Sequence, residues 1–158
     1  MKDSLHTGIS FGLTSAVITT LGLMVGLHSG THSKIVVLAG ILTIAIADAF
    51  SDALGIHVSE EAENKHTIKQ IWAATISTFL AKFLFAMTFV VPLILFTLST
   101  AIVISLIWGL SILSLLSYFM AKSQSEPAWK IVGEHLMIAI VVIGITNWVG
   151  DWIGKLNA

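Results

Sequence analysis

The chain has 158 residues, of which 56% are hydrophobic and 11% charged, with a net charge of −1 and a mean hydropathy of +0.93. Soluble domains carry roughly 25% charged residues, so this chain lacks the charge to cover a water-exposed globule. That excludes a soluble enzyme, a nucleic-acid binder and a disordered regulator.

Residues 4–33 and 83–121 contain no Asp, Glu, Lys or Arg. A membrane span needs about 20 mostly apolar residues. The expected class is therefore an all-α polytopic membrane protein, a single five-helix domain over residues 1–158 embedded in the lipid bilayer. Span one covers residues 8–27, lacks a small-residue cleavage motif and reads as a retained span. A polar turn, residues 28–34, leads to span two at 35–57, which carries Asp48 and Asp52. The most polar stretch follows at 59–69. Span three covers 70–96, with Lys82 inside it and Pro92 near its end. Span four covers 100–121, a short loop runs from 122 to 127, and span five covers 128–153. Runs of this length do not alternate as barrel strands do, and in lipid each backbone group must be bonded within its own segment, so the spans are helices.

Five spans put the termini on opposite sides. With the N-terminus cytoplasmic, Lys2, Lys65, Lys69, Lys122 and Lys130 lie inside, and Lys34 and Lys155 outside. The positive-inside rule then favours N-in, C-out, in the cell membrane of a prokaryote. Trp72, Trp129, Trp148 and Trp152 fall near span ends, where indole rings favour the interface. Trp108 sits mid-span and is expected to pack.

Three charged residues are placed where lipid makes them costly. Asp48 and Asp52 are one turn apart and share a helix face, a pattern that fits a cation site or a proton relay. Oxygen ligands alone suit hard or borderline divalent ions. Lys82 lies too deep for an easy snorkel and needs a partner, for which Asp48 or Asp52 is the candidate. An ammonium there competes with a bound cation, or else forms a structural ion pair that only locks the bundle.

Span one carries a small-residue stripe. Gly8 and Gly12, and Gly22 and Gly26, are small-xxx-small pairs that permit close helix approach. They are read either as a dimer contact, with Ser15 and Thr19 lining a path, or as packing within one protomer. After span two, Glu60, Glu61 and Glu63, with His57 just before them, form either a cytoplasmic metal-capture site or a solvated loop. The absence of Cys removes disulfides and thiolate chemistry. No G-x-S-x-G, H-E-x-x-H or phosphate-binding glycine loop is present, so no enzyme activity is expected.

The order of these motifs resembles the vacuolar iron transporter family. Residues 8–27, GISFGLTSAVITTLGLMVGL, look like that family's first helix, which reads FGL-x-DG before a hydrophobic run and LGL. Residues 50–63, FSDALGIHVSEEAE, are similar to its SM-x-x-GEY segment. TFVVPLILF (88–96) resembles the end of its third helix, and residues 132–154 its last helix. The resemblance implies a five-helix homodimer whose first helices line a central path. It implies export of ferrous iron or manganese from the cytosol, exchanged for protons, with the metal as cargo and no permanently bound cofactor. The chain departs from that pattern where the family's functional residues fall. Ser15 stands in place of the family's first-helix Asp, Asp52 in place of its second-helix Met, Ile56 in place of its Glu and His57 in place of its Tyr. Exchanging a thioether for a carboxylate moves preference toward harder ions. The competing expectations are a non-transporting scaffold or accessory subunit that keeps this fold, and a carrier of another cation.

Overall fold

The computed structural model describes the backbone of residues 2–156 and the side chains of residues 3–156. The Lys2 side chain, one of the lysines counted toward the cytoplasmic side, lies outside the described residues. Among the described residues there are six helices and no strand: α1 (Lys2–Thr31), α2 (Lys34–Ala62), α3 (Ile68–Thr88), α4 (Val90–Leu95), α5 (Leu98–Ser123) and α6 (Ala128–Leu156). With α3 and α4 read as one span, five helical segments are long and apolar enough to cross a membrane.

The helices are longer than the apolar runs alone predict. The turn expected over residues 28–34 shrinks to His32 and Ser33, and α2 runs on through the first part of the acidic segment. The ends are set by local chemistry. Ser33 accepts a hydrogen bond from the Val36 backbone N–H at the start of α2. Thr67 and Gln70 form a capping box at the start of α3, which satisfies backbone donors that the first helical turn leaves orphaned. His32, Asn64 and Ser125, just beyond α1, α2 and α5, all adopt positive φ. A left-handed residue at that position turns the chain out of the helix and closes off its last carbonyls.

Proline explains the break in span three. Pro92 has no N–H for the carbonyl four residues earlier, and its ring crowds that carbonyl. The helix is interrupted at Phe89 and resumes as α4. Trp108 of α5 stacks on Phe85 with ring centroids 6.2 Å apart, and its indole N–H donates to Thr88 Oγ1 at 3.1 Å. It packs across the kink, as expected of a mid-span indole.

α1 runs through the centre of the bundle, against α3, α6, α2 and α5. Its buried Ala16, Val17, Leu21 and Met24 join Val37 and Ile41 of α2, Phe85 and Phe89 of span three, and Leu113 of α5 in one apolar core. α2 and α6 are peripheral, and each leaves long apolar side chains facing outward, among them Ile46, Phe50, Leu54, Ile140, Ile145 and Trp148. Lipid tails are as apolar as such side chains, so a bilayer needs no further cover there.

Candidate functional site

The polar centre is assembled from three helices. Ser15 lies halfway along α1, Asp48 halfway and Asp52 two-thirds along α2, and Lys82 two-thirds along α3. Lys82 starts fourteen residues past Ile68, or ~21 Å at the rise of an α-helix, so its stem reaches a level far from either end of the whole span Ile68–Leu95. The four side chains meet there. Lys82 Nζ forms ion pairs with Asp48 Oδ2 at 2.5 Å and with Asp52 Oδ2. It also donates to Ser15 Oγ at 2.8 Å, and Ser15 Oγ donates to Asp52 Oδ2 at 2.6 Å. Asp48 Oδ2 has no hydrogen bond beyond its ion pair.

Burial within the cluster is unequal. The Lys82 side chain is 2% exposed, whereas Asp52 is 19% and Asp48 25% exposed. Asp48 borders an open groove of about 770 Å³ between α1 and α2, lined by Leu23, Leu27, Gly40, Thr43, Ala47 and Ser51 among others. The cluster is thus closed on the α3 side and reachable on the α2 side. With both acids and the lysine ionised it carries two negative charges and one positive.

The other residues singled out in the sequence fall elsewhere. Thr19 donates its hydroxyl to the Ser15 carbonyl at 2.9 Å; it is satisfied by its own helix and takes no part in the cluster. His57 Nδ1 pairs with Thr75 Oγ1 at 2.9 Å, and its ring meets Trp72 edge-on at 4.9 Å. Glu60 and Glu63 face His66 at 3.5 and 3.8 Å, and Glu61 is exposed. Among the described residues, no group of three or more His, Asp or Glu side chains converges as a metal-holding set. The six residues expected as metal ligands, Asp48, Asp52, Glu60, Glu61, Glu63 and His57, therefore do not form one ligand sphere. The physical reason is the length of α2, which separates His57 and the glutamates from the aspartates by about one and a half to four helical turns.

The glycine stripe is occupied inside the protomer. A Cβ on Gly12 would stand 2.6 Å from the Thr78 carbonyl of α3. On Gly22 it would meet Val142, and on Gly26 the Thr146 carbonyl, both on α6. Gly8 packs against Ala74 and Ser77 of α3. These four glycines, expected at a dimer contact, make the close approaches of α1 to its own neighbours. A central helix with partners on two sides needs small residues on both.

Two polar pairs escaped the sequence reading. Ser29 of α1 donates to Asp151 of α6, and Ser117 of α5 pairs with His135 Nδ1 of α6 at 2.7 Å. Asp151 and His135 lie near the ends of the fifth span. Their distance in sequence from Ser29 and Ser117 left no local signal of the pairing.

The fold and this centre define a class: an all-helical protein with five membrane-length apolar segments and a buried, charged cluster at their middle. Compared with known proteins, the chain matches no family model, no curated sequence and no solved structure.

Proposed function

We propose that the chain is an integral membrane cation transporter, with Asp48 and Asp52 as the carboxylates that take the cargo and Lys82 and Ser15 as their partners. One observation carries this reading. A lysine 2% exposed bridges two aspartates at mid-helix, and one of those aspartates still opens onto a groove. Ionised groups at membrane depth are costly and mark ion or proton pathways by default. A purely structural lock has no need of the second carboxylate, since one acid already neutralises one ammonium.

The cargo we propose is a divalent metal ion of the iron or manganese kind, exported from the cytosol in exchange for protons by a homodimer. The resemblance to vacuolar iron transporters supports that choice, as do the all-oxygen donors. The lysine distribution supports a cytoplasmic N-terminus; the membrane we propose is the cell membrane of a prokaryote. Because the glycine stripe is covered by α3 and α6, the face of α1 left for a path is the one beside the α1–α2 groove. A scaffold that has lost transport is the second reading, favoured by the way Lys82 occupies both carboxylates.

Manganese flux into proteoliposomes, read with an entrapped metal-sensitive dye, separates the two. Wild-type flux that Asp52→Asn abolishes supports transport. No flux in wild type, with Asp48→Asn and Asp52→Asn behaving alike, overturns it in favour of the scaffold.

A further inference from the structure

We propose that the Lys82 ammonium is the resident occupant of the cargo site, and that a divalent cation binds there only by displacing it. This deepens the transport reading and rests on it.

The first argument is positional. Lys82 Nζ touches Oδ2 of Asp48 and Oδ2 of Asp52 and donates to Ser15 Oγ at 2.8 Å. Two carboxylates and a hydroxyl are the oxygen donors that a hard divalent ion takes. The ammonium therefore stands where the ion would stand. Two cations in contact repel by several kcal/mol even at an effective dielectric of about 20, so lysine and metal exclude one another.

The second argument is charge. With Lys82 in place, the cluster carries one uncompensated negative charge. With a divalent ion in its place, the displaced Lys82 amine releases its proton to water, so that it carries no unpaired charge, and the two carboxylates are neutralised in full. In a medium where unpaired charge is expensive, the pair of aspartates matches a divalent ion better than it matches an ammonium. Lysine guards the carboxylates when no ion is present, so that one of their two negative charges, not both, is left uncompensated.

The third argument is access and freedom. Asp48 is the most exposed member of the cluster and borders a groove lined by α1 and α2 and not by the helix that carries Lys82, so the carboxylates are open to an ion on a side that the lysine does not line. A lysine head is a compact charge on a flexible four-carbon stem, and its withdrawal is a side-chain motion of α3 that leaves α2 in place.

The test is a titration of the full-length protein in detergent micelles with manganese chloride. Bound metal is read by electron paramagnetic resonance and stability by thermal melting. Lys82→Gln is expected to bind manganese at least tenfold more tightly than wild type. It is also expected to melt lower than wild type without metal and to regain the difference when manganese is added. Lys82→Gln combined with Asp52→Asn is expected to lose that gain. Lys82→Gln binding no more tightly than wild type overturns the proposal. A second measurement on the wild type covers the case in which Lys82→Gln does not fold. Amine acylation mapped by mass spectrometry should label Lys82 severalfold more in manganese, with the remaining lysines unchanged. Unchanged Lys82 labelling at a metal concentration that supports flux overturns the proposal. Wild-type flux that Asp52→Asn abolishes, alongside either negative result, leaves transport standing and removes only the displacement by metal. Absence of flux removes the transport reading itself.

Discussion

Two clusters in this molecule share one formula and differ in medium. At mid-span, Asp48 and Asp52 hold Lys82; at the end of the same helix, Glu60 and Glu63 face His66. Each is two acids a turn apart around one base. The contacts are tight in the first, with Nζ 2.5 Å from Asp48 and the lysine 2% exposed. They are loose in the second, at 3.5 and 3.8 Å, where Glu63 is 52% and His66 29% exposed although Glu60 is only 12% exposed. In the outer cluster the contacts are longer and the base and one of the acids reach water, which screens them, so the pairing is worth little. Inside the bundle no water replaces a lost partner, and breaking the pair leaves a bare charge. The residue pattern alone does not say which cluster matters; the surroundings do.

The sharpest way to break the comparison is Lys82→Met. Leaving two carboxylates buried without their cation is expected to cost about 3–5 kcal/mol of stability, measured by denaturant unfolding in micelles. A loss under about 1 kcal/mol would place this cluster on the same footing as the outer one. Next in size is Gly12→Leu, which forces a side chain against the Thr78 carbonyl backbone and displaces α3, the helix that carries Lys82. Overpacking of this kind costs about 1–3 kcal/mol. The matched control is Gly55→Leu, where the added atoms meet open space and the expected change stays within about 0.5 kcal/mol.

Asp52→Asn tests the polarity of the inner cluster more gently. The amide oxygen still accepts from Ser15 and Lys82, and Asp48 remains as the counter-ion. The expected loss is about 1–2 kcal/mol, within the range for a weakened bond to a charged group, while metal flux disappears. The smallest effect is at the outer cluster. His66→Ala should change stability by less than about 1 kcal/mol, and what change there is should shrink in high salt. A larger, salt-independent loss would show that the outer cluster is more than a solvated loop.

Much of this could be read from residues alone. Continuous apolar runs located all five spans, and the deep positions of Asp48, Asp52 and Lys82 marked them as partners before any coordinates. The structure made the pairing more specific, because Lys82 binds both aspartates and Ser15 completes the set. Ser15 was singled out as a path-lining hydroxyl beside Thr19, and of the two only Ser15 joins the charged cluster. The hydroxyl of Thr19 turns back to its own helix, an option open to any helical threonine. The glycines were legible as close-contact residues but not as to their partner. Small-xxx-small spacing states that a backbone approaches, and says nothing about whose backbone it is.

The sequence by itself determined the all-helical class, the number of spans and the depth of the charges. Those follow from hydropathy, helical period and the cost of unbonded backbone in lipid, which act along a single segment. Only the tertiary structure decided that α1 is the central helix, that its glycine stripe is filled by α3 and α6, and that the metal-ligand candidates stay apart. Those outcomes depend on how five apolar cylinders rotate against each other. Because these helices are hydrophobic on nearly every face, no amphipathic stripe announces that rotation, and close packing and the few buried polar contacts settle it.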